Sequence, residues 1–355
     1  MNRADRVAER LRERELDLLL VTDGTNLRYL TGFTGTNGMA VVGTELRRFV
    51  TDFRYVEQAA VQVIDFDREQ GPQDFVTALK TGWPEGDLRL GFEDSHLSVR
   101  QHRRIREVVP ERIELVPAGE IVEAERAVKE PGELDSIRAA ARLADDVYDW
   151  LRELGIVGRT EREVGVALEH QMRMRGASDP SFPSIVASGE RGALPHAVRS
   201  DEPIPANALV TLDIGAVLDG YCSDCTRTWA TGSVSPELEE IYLLVQRAQH
   251  AAARAVRAGP TGREVDAVAR DMIDAAGHGE HFGHGLGHGV GMDVHEAPRL
   301  ARTAKDALVA GNVVTVEPGV YLPGVGGVRI EDLVVVIEGG CEVLTSTTKD
   351  LIVVE

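Results

Sequence analysis

Hydrophobic and polar positions follow one pattern in the first third of the chain. Short apolar runs predict strands at Leu18–Val21 and at residues 39–42, 48–51, 89–92 and 113–116. Stretches with helical periodicity separate them, ending near residue 15 and covering residues 53–61, 74–81 and 98–108. This alternation of strand and helix predicts a small α/β domain over residues 1–121, which we interpret as a scaffold, an oligomerisation surface or a lid.

The pattern changes around residue 122, where we place the boundary of a second domain, residues 122–355. Pro131 and Gly132 precede a long amphipathic helix at 133–154, and Thr160, Ser235 and Thr261 are predicted to cap three more helices. Apolar runs predict strands at residues 184–187, 208–216, 221–230, 313–320 and 329–337. Helices grouped around strands in this order predict an α+β fold.

Composition and charge limit the kinds of molecule that the protein is expected to bind. The chain is 43% hydrophobic and 27% charged, as expected of a folded globular protein, and its formal net charge is −19. An excess of negative charge argues against nucleic acid or an anionic membrane as the main partner. The charged N-terminus, the lack of an apolar run of about 20 residues and the presence of three cysteines predict a cytoplasmic protein.

Candidate chemistry is concentrated in residues 284–296, where three histidines alternate with four glycines. Histidine can ligate a metal or exchange a proton near neutral pH, and glycine lets the backbone approach an ion or a substrate closely. A solvated surface loop is the alternative interpretation. The spacing of His284 and His288 imitates the helical pair of zinc proteases, but the intervening glycines cost a helix about 1 kcal/mol each.

Four acidic residues complete this chemistry. Asp213 ends an apolar strand, and a turn at Asp219-Gly220 would place Asp224 beside it on the returning strand. Glu317 and Glu331 repeat the arrangement near the C-terminal end. Each acid alone could form a salt bridge or lie at a solvated strand end. Like charges in contact repel unless a cation separates them, so four acids with a histidine cluster predict divalent metal ions.

These motifs resemble the dinuclear site of the pita-bread metallopeptidases, the group of prolidase, aminopeptidase P and methionine aminopeptidase. The stretch from His284 to Glu296, with Val316-Glu317-Pro318-Gly319 and Arg329-Ile330-Glu331-Asp332, is similar to the signatures of the proline-specific members. The resemblance covers residues 122–355. The N-terminal domain looks like the creatinase/prolidase-type domain of the same members, which methionine aminopeptidases usually lack.

The resemblance implies two divalent ions per subunit, with Mn²⁺ favoured over Co²⁺ and Zn²⁺, and a hydroxide that bridges them. The implied metal ligands are Asp213, Asp224, His288, Glu317 and Glu331. Glu317 would also accept the proton of the attacking water, and His295 would hydrogen-bond the tetrahedral intermediate or the leaving nitrogen. His196, His284 and Tyr321 would line the substrate pocket, and Arg329 would support a ligand carboxylate.

The implied reaction is hydrolysis of the peptide bond that precedes proline, in a homodimer. Arg299 stands where an arginine could clamp the free carboxylate of a dipeptide, which favours an Xaa-Pro dipeptidase. An Xaa-Pro aminopeptidase acting on longer peptides is the alternative. Some relatives of this fold are metal-free amidinohydrolases or non-catalytic binding modules, but they lose metal ligands that are all present here.

Overall fold

The computed structural model describes residues 2–355 and divides the chain into two compact units, the first ending at Arg126 and the second beginning at Ala127. The boundary lies a few residues beyond the position expected from the sequence. The shift arises because a short helix, Ile121–Arg126, packs against the first helix of the N-terminal unit. None of the helices in residues 2–355 combines the length and hydrophobicity that crossing a bilayer requires.

The N-terminal unit is built on a mixed six-stranded sheet. Its strands are β1 Leu18–Val21, β2 Gly38–Gly43, β3 Arg47–Thr51, β4 Asp67–Gln70, β5 Leu88–Phe92 and β6 Ile113–Pro117. They lie in the order β4-β3-β2-β1-β5-β6. Its helices are α1 Arg3–Glu13, α2 Gly24–Thr31, α3 Val56–Gln62, α4 Val99–Val108 and α5 Ile121–Arg126. The predicted α/β domain is therefore confirmed.

Three elements of this unit were not predicted, and one predicted helix is of the 3-10 type. The helix expected at 74–81 is a 3-10 helix, Phe75–Lys80. Strand β4 was not predicted, because all of its residues are polar and it has no apolar face. It lies at the edge of the sheet and pairs only with β3. Helices α2 and α5 are eight and six residues long, too short to show a clear period.

The C-terminal unit has four long helices, which begin near the caps expected from the sequence. They are α6 Pro131–Leu154, α7 Glu161–Met174, α8 Pro236–Ala255 and α9 Gly262–Ala275. The hydroxyls of Thr160 and Thr261 each accept the backbone N–H three residues ahead, within capping boxes. The hydroxyl of Ser235 accepts the backbone N–H of Leu238 without a capping box. These local signals are confirmed.

Every strand pair in the C-terminal unit is antiparallel. The strands are β7 Asp179–Pro180, β8 Ile185–Ser188, β9 Leu209–Ile214, β10 Ala216–Leu218, β11 Tyr221–Cys222, β12 Cys225–Ala230, β13 Gly287–Gly289, β14 Glu296–Leu300, β15 Val313–Val316, β16 Gly319–Leu322, β17 Gly326–Arg329, β18 Asp332–Ile337 and β19 Gly340–Val343. They form sheets of order β11-β10-β7, β12-β9-β8, β14-β13-β15-β18-β19 and β16-β17.

The helices cover these sheets in two hydrophobic clusters. Side chains of α6 and α7 pack with β8, β9 and β12 around Trp229, and those of α8 and α9 pack with β15, β16, β17 and β18 around Tyr242. Each fully buried large apolar side chain contributes about 1.5–3 kcal/mol. The two clusters hold the sheets in fixed positions relative to one another within the C-terminal unit.

Several strands are shorter than the apolar runs predicted. The expected strand at 221–230 is interrupted at Ser223 and Asp224, the one at 313–320 at Glu317 and Pro318, and the one at 329–337 at residues 330–331. At each interruption the chain leaves one sheet and enters another. The apolar pattern continues across these points because the sheets on both sides are buried, so hydrophobicity alone could not reveal the break.

Candidate metal centre

Acidic residues occupy the points where the chain passes between sheets. Asp224 lies between β11 and β12, Glu317 between β15 and β16, and Glu331 between β17 and β18. Asp213 is on β9, directly opposite Thr226 of β12. Because Asp224, Glu317 and Glu331 lie outside the strand ladders, their side chains are not bound to the strict alternation of strand faces and can converge.

Three of the carboxylates meet in one cluster. Oxygen atoms of Asp213, Asp224 and Glu331 all lie within 4.8 Å of one another, and the three residues are 8%, 5% and 1% exposed. Burial raises the pKa of Asp224 well above its usual range, and repulsion from Glu331 raises it further. Burial likewise raises the pKa of Glu331, with Glu317 and Asp213 adding to the effect. The cluster therefore disfavours full ionisation unless a cation compensates it.

His288 faces this cluster from β13. Its Nε2 is 3.6 Å from Asp224 Oδ2 and 3.3 Å from Glu317 Oε1. Burial lowers the pKa of His288 to about 4, so the ring is neutral at neutral pH. Its Nδ1 is 3.1 Å from the carbonyl oxygen of Gly289, which can only accept, so Nδ1 carries the proton. The lone pair of Nε2 is thus directed at two carboxylates.

Glu317 is largely buried, and the pKa of its carboxyl group lies near neutral pH. Its side chain is 16% exposed and accepts a hydrogen bond from the Thr315 hydroxyl at 3.0 Å. Burial raises the pKa of Glu317 to about 7. A carboxylate in this state can accept or release a proton in the neutral pH range.

Arg329 compensates part of the negative charge. Its Nη2 donates to Asp213 Oδ2 at 2.6 Å, and its Nη1 donates to the Tyr321 hydroxyl at 3.1 Å and to the carbonyl of Pro195 at 3.2 Å. The Tyr321 oxygen is 2.9 Å from His284 Nε2. Because His284 Nδ1 donates to the carbonyl of Gly285, Tyr321 donates its proton to Nε2. Arg329, Tyr321 and His284 therefore form one hydrogen-bonded chain.

The residues present fit divalent metal ions. Within residues 2–355, Asp213 Oδ1 and Glu331 Oε1 are buried and receive no hydrogen bond from the protein, although their companion oxygens do. Buried carboxylate oxygens without a donor are costly, and a cation would satisfy them. A cation would also satisfy the Nε2 lone pair of His288. Carboxylates with one imidazole are the donor set of Mn²⁺ and related ions.

All eleven residues predicted for the site line a single cavity of about 560 Å³. They are His196, Asp213, Asp224, His284, His288, His295, Arg299, Glu317, Tyr321, Arg329 and Glu331. His284 is present, but both of its nitrogens are engaged within the chain described above. The structure thus brings the whole predicted set together from segments that are far apart in the sequence.

His295 and Arg299 lie at the open side of this cavity. The imidazole of His295 packs edge-on to that of His288 with ring centroids 4.4 Å apart, and burial lowers the pKa of His295. Arg299 pairs with His288 across β13 and β14, and its side chain is exposed. These two residues can meet a bound molecule without touching the buried carboxylates.

Part of the cavity wall was not predicted from the sequence. Its apolar side is formed by Phe182, Pro183, Ile185, Pro195, Ala197 and Val198. Ile185 reaches the site because β8 pairs it with Asp213 on β9. Arg199 also lines the cavity and donates to Glu169 at 2.8 Å. These residues lie in ordinary loop and strand sequence, and only the pairing of β8 with β9 marks them.

Known proteins share this architecture. Residues 135–338 match metallopeptidase family M24, and residues 3–128 match the creatinase/prolidase N-terminal domain. The solved structure of an Xaa-Pro dipeptidase from Bacillus anthracis is 40% identical, covers 99% of each chain and superposes with a TM-score of 0.95. An X-Pro aminopeptidase from Thermotoga maritima MSB8 is 34% identical, covers 96% of this chain and 99% of its own, and has a TM-score of 0.86.

A further relative is similar in sequence over nearly the whole chain. The "uncharacterized peptidase YqhT" of Bacillus subtilis (strain 168) is 45% identical over 339 residues, which are 95% of this chain and 96% of the relative. The predicted pita-bread fold behind a creatinase/prolidase-type domain is confirmed by these likenesses, and the family implies divalent metal ions. The chain therefore belongs to metallopeptidase family M24 and carries a creatinase/prolidase-type N-terminal domain.

Proposed function

We propose that this protein hydrolyses the peptide bond preceding proline, with the help of two divalent metal ions, and that Xaa-Pro dipeptides are its substrates. One observation carries the proposal. Four acidic side chains and the Nε2 lone pair of His288 converge in a cavity where Asp213 Oδ1 and Glu331 Oε1 lack a donor among residues 2–355. The names of the dipeptidase and aminopeptidase relatives support the substrate class.

The ligand roles follow the family resemblance. Asp213 would hold one ion, His288 and Glu317 the other, and Asp224 and Glu331 would bridge them. When bound, such ions polarise a carbonyl oxygen and lower the pKa of water toward neutrality. We propose Mn²⁺ ahead of Co²⁺ and Zn²⁺, because carboxylates outnumber imidazoles in this site.

The protein's own groups would manage protons and orientation. Glu317 would accept the proton released by the attacking water and later deliver it to the leaving proline nitrogen. His295 would donate a hydrogen bond to the oxygen that becomes negative during attack, or to the leaving proline nitrogen. The apolar wall around Phe182 and Ile185 would receive the proline ring and exclude water.

Arg299 supports the choice of dipeptides. Arg299 lines the cavity from an exposed position on β14, where its guanidinium could bind the carboxylate of a short substrate through two parallel hydrogen bonds. A longer peptide presents an amide at that point. Cleavage of longer peptides stays the second candidate, because the side chain of Arg299 is exposed and an X-Pro aminopeptidase is among the similar structures.

The test compares Gly-Pro with Gly-Pro-Pro after chelator treatment and addition of Mn²⁺, Co²⁺ or Zn²⁺, with Gly-Ala as the control peptide. We expect the highest kcat/KM on Gly-Pro with Mn²⁺ and little cleavage of Gly-Ala. A higher kcat/KM on Gly-Pro-Pro would select the aminopeptidase assignment. If all three metals leave both proline peptides intact, the proposal is wrong.

The proposed assembly is a homodimer, an expectation taken from the family resemblance. Sedimentation at several protein concentrations tests it. A mass twice that of one chain is the expected result, and a constant single-chain mass would contradict it. The cytoplasmic location expected from the sequence stays a prediction.

A further inference from the structure

A buried threonine lies behind one half of the proposed metal centre. Thr226 on β12 is 0% exposed, and its hydroxyl is 2.8 Å from Glu331 Oε2 and 3.0 Å from Arg329 Nε. Arg329 in turn donates to Asp213 Oδ2. One oxygen of Asp213 and one of Glu331 are therefore held by the same Arg329–Thr226 unit, and the second oxygen of each is left without a donor among residues 2–355.

A second buried threonine holds the other half in the same manner. Thr315 on β15 is 0% exposed, and its hydroxyl is 3.0 Å from Glu317 Oε1 and 3.0 Å from the backbone nitrogen of His288. It thus joins the two residues proposed to hold the other ion. Asp224 lies between the halves, near both Glu331 and His288.

The direction of each hydroxyl proton is determined by its partners. The Nε–H of Arg329 and the backbone N–H of His288 can only donate, so each hydroxyl must accept from them. Its single proton is then committed to the carboxylate, Glu331 for Thr226 and Glu317 for Thr315. Because threonine is branched at Cβ, few side-chain rotamers compete with this orientation. Each hydroxyl therefore occupies one carboxylate oxygen and fixes the plane of the group.

We propose that Thr226 and Thr315 are positioning residues. Thr226 orients Asp213, which would hold one ion, and Glu331, which would bridge both ions. Thr315 orients Glu317 and His288, which would hold the other ion. This inference rests on the proposed metal-dependent function. Substituting either threonine by valine keeps the side-chain shape but removes the proton donor to a carboxylate and the acceptor for a buried N–H. Loss of such outer contacts typically lowers metal affinity about 10- to 100-fold.

The experiment is a Mn²⁺ titration of chelator-treated protein by calorimetry, with bound Mn²⁺ counted by elemental analysis after equilibrium dialysis. Thr226→Val should raise the Kd of both binding steps about 10- to 100-fold, because Glu331 would bridge the two ions, whereas Thr315→Val should raise the Kd of one step only. The double variant should show both losses. Thr226→Ser and Thr315→Ser should recover most of the affinity because they keep the hydroxyl.

Thr211→Val is the matched control. Thr211 is a 3% exposed strand threonine two residues before Asp213, and its hydroxyl contacts that of Thr228 at 3.4 Å. We expect wild-type Kd values for both steps. Thermal unfolding of the chelator-treated variants separates lost packing from lost positioning, because a purely structural role would lower the unfolding temperature and leave Mn²⁺ affinity unchanged. If the valine variants do not fold, Thr226→Ala and Thr315→Ala provide the same comparison.

Three outcomes would count against the inference in distinct ways. Unchanged affinity in both valine variants, with two Mn²⁺ bound by the wild type, overturns the inference alone. Equal weakening of both steps in both variants overturns the division into halves. A wild-type protein that binds none of Mn²⁺, Co²⁺ and Zn²⁺ overturns the proposed function together with the inference.

Discussion

Glu317→Gln should stabilise the chelator-treated protein at alkaline pH, although it removes a proposed ligand. Burial raises the pKa of Glu317 from 4.5 to about 7. An acid whose pKa is raised in the folded state favours folding below its unfolded pKa, and this contribution is lost as the pH rises through the folded pKa. The free energy of unfolding of the wild type therefore falls between about pH 4.5 and pH 7, and the total loss is about 3 kcal/mol at higher pH.

Glutamine has nearly the same size and does not titrate, so the variant avoids this loss. For a domain of about 150–250 residues, 1 kcal/mol corresponds to about 2–4 °C in unfolding temperature. The variant should thus unfold at a temperature about 6–12 °C above that of the wild type at pH 8.5, with little difference at pH 4.5. With Mn²⁺ present the order should reverse, because the wild type binds the ion more tightly in its folded state.

The assay is differential scanning calorimetry of both proteins from pH 4.5 to 8.5, first with chelator and then with Mn²⁺. Glu280→Gln, at an exposed position, is the control and should show no pH-dependent difference from the wild type. A difference between the Glu317→Gln protein and the wild type that stays constant across this pH range would refute the reasoning. It would mean that Glu317 ionises in the folded protein without a burial cost.

Three further substitutions test the other roles. Asp224→Asn should abolish Gly-Pro hydrolysis and lower bound Mn²⁺ while the circular dichroism spectrum is kept, and a variant that retained two Mn²⁺ and normal turnover would contradict the bridging role. His295→Ala should keep its Mn²⁺ but lose about 10²–10⁴-fold in kcat, and an unchanged kcat at full metal content would remove His295 from the mechanism. Arg299→Gly should raise KM for Gly-Pro about 10- to 150-fold with little effect on Gly-Pro-Pro, and Arg299→Lys should restore only part of the loss. Equal losses on both peptides would indicate a general structural role for Arg299.

The strands predicted from the sequence differ most from the structure where the chain passes from one sheet to another. The apolar runs around Asp224, Glu317 and Glu331 predicted continuous strands, yet each acid lies where the chain moves to another sheet. Pro318 provides a local sign at one of them, because proline cannot donate a hydrogen bond to a strand ladder. At the other two the break depends on which strand is available as a partner, and that partner is distant in sequence.

The contacts that orient the proposed metal ligands could not be predicted from the sequence either. Thr226 and Thr315 are ordinary strand threonines in the sequence, and no motif distinguishes them from Thr211. Their roles arise because Thr226 of β12 meets the segment that contains Arg329 and Glu331, and because β15 lies beside β13. The apolar cavity wall around Phe182 and Ile185 depends in the same way on the pairing of β8 with β9.

By itself the sequence determined what depends on near neighbours in the chain. Helix caps at Thr160 and Thr261 need residues three positions apart, and the motifs around His288 and Glu317 display their chemistry as local patterns. Only the tertiary structure decided which carboxylate oxygens are shielded by hydrogen bonds and which are left to face one another. That choice depends on long-range strand pairing, because a buried charge takes its pKa and orientation from groups that folding brings within a few ångströms.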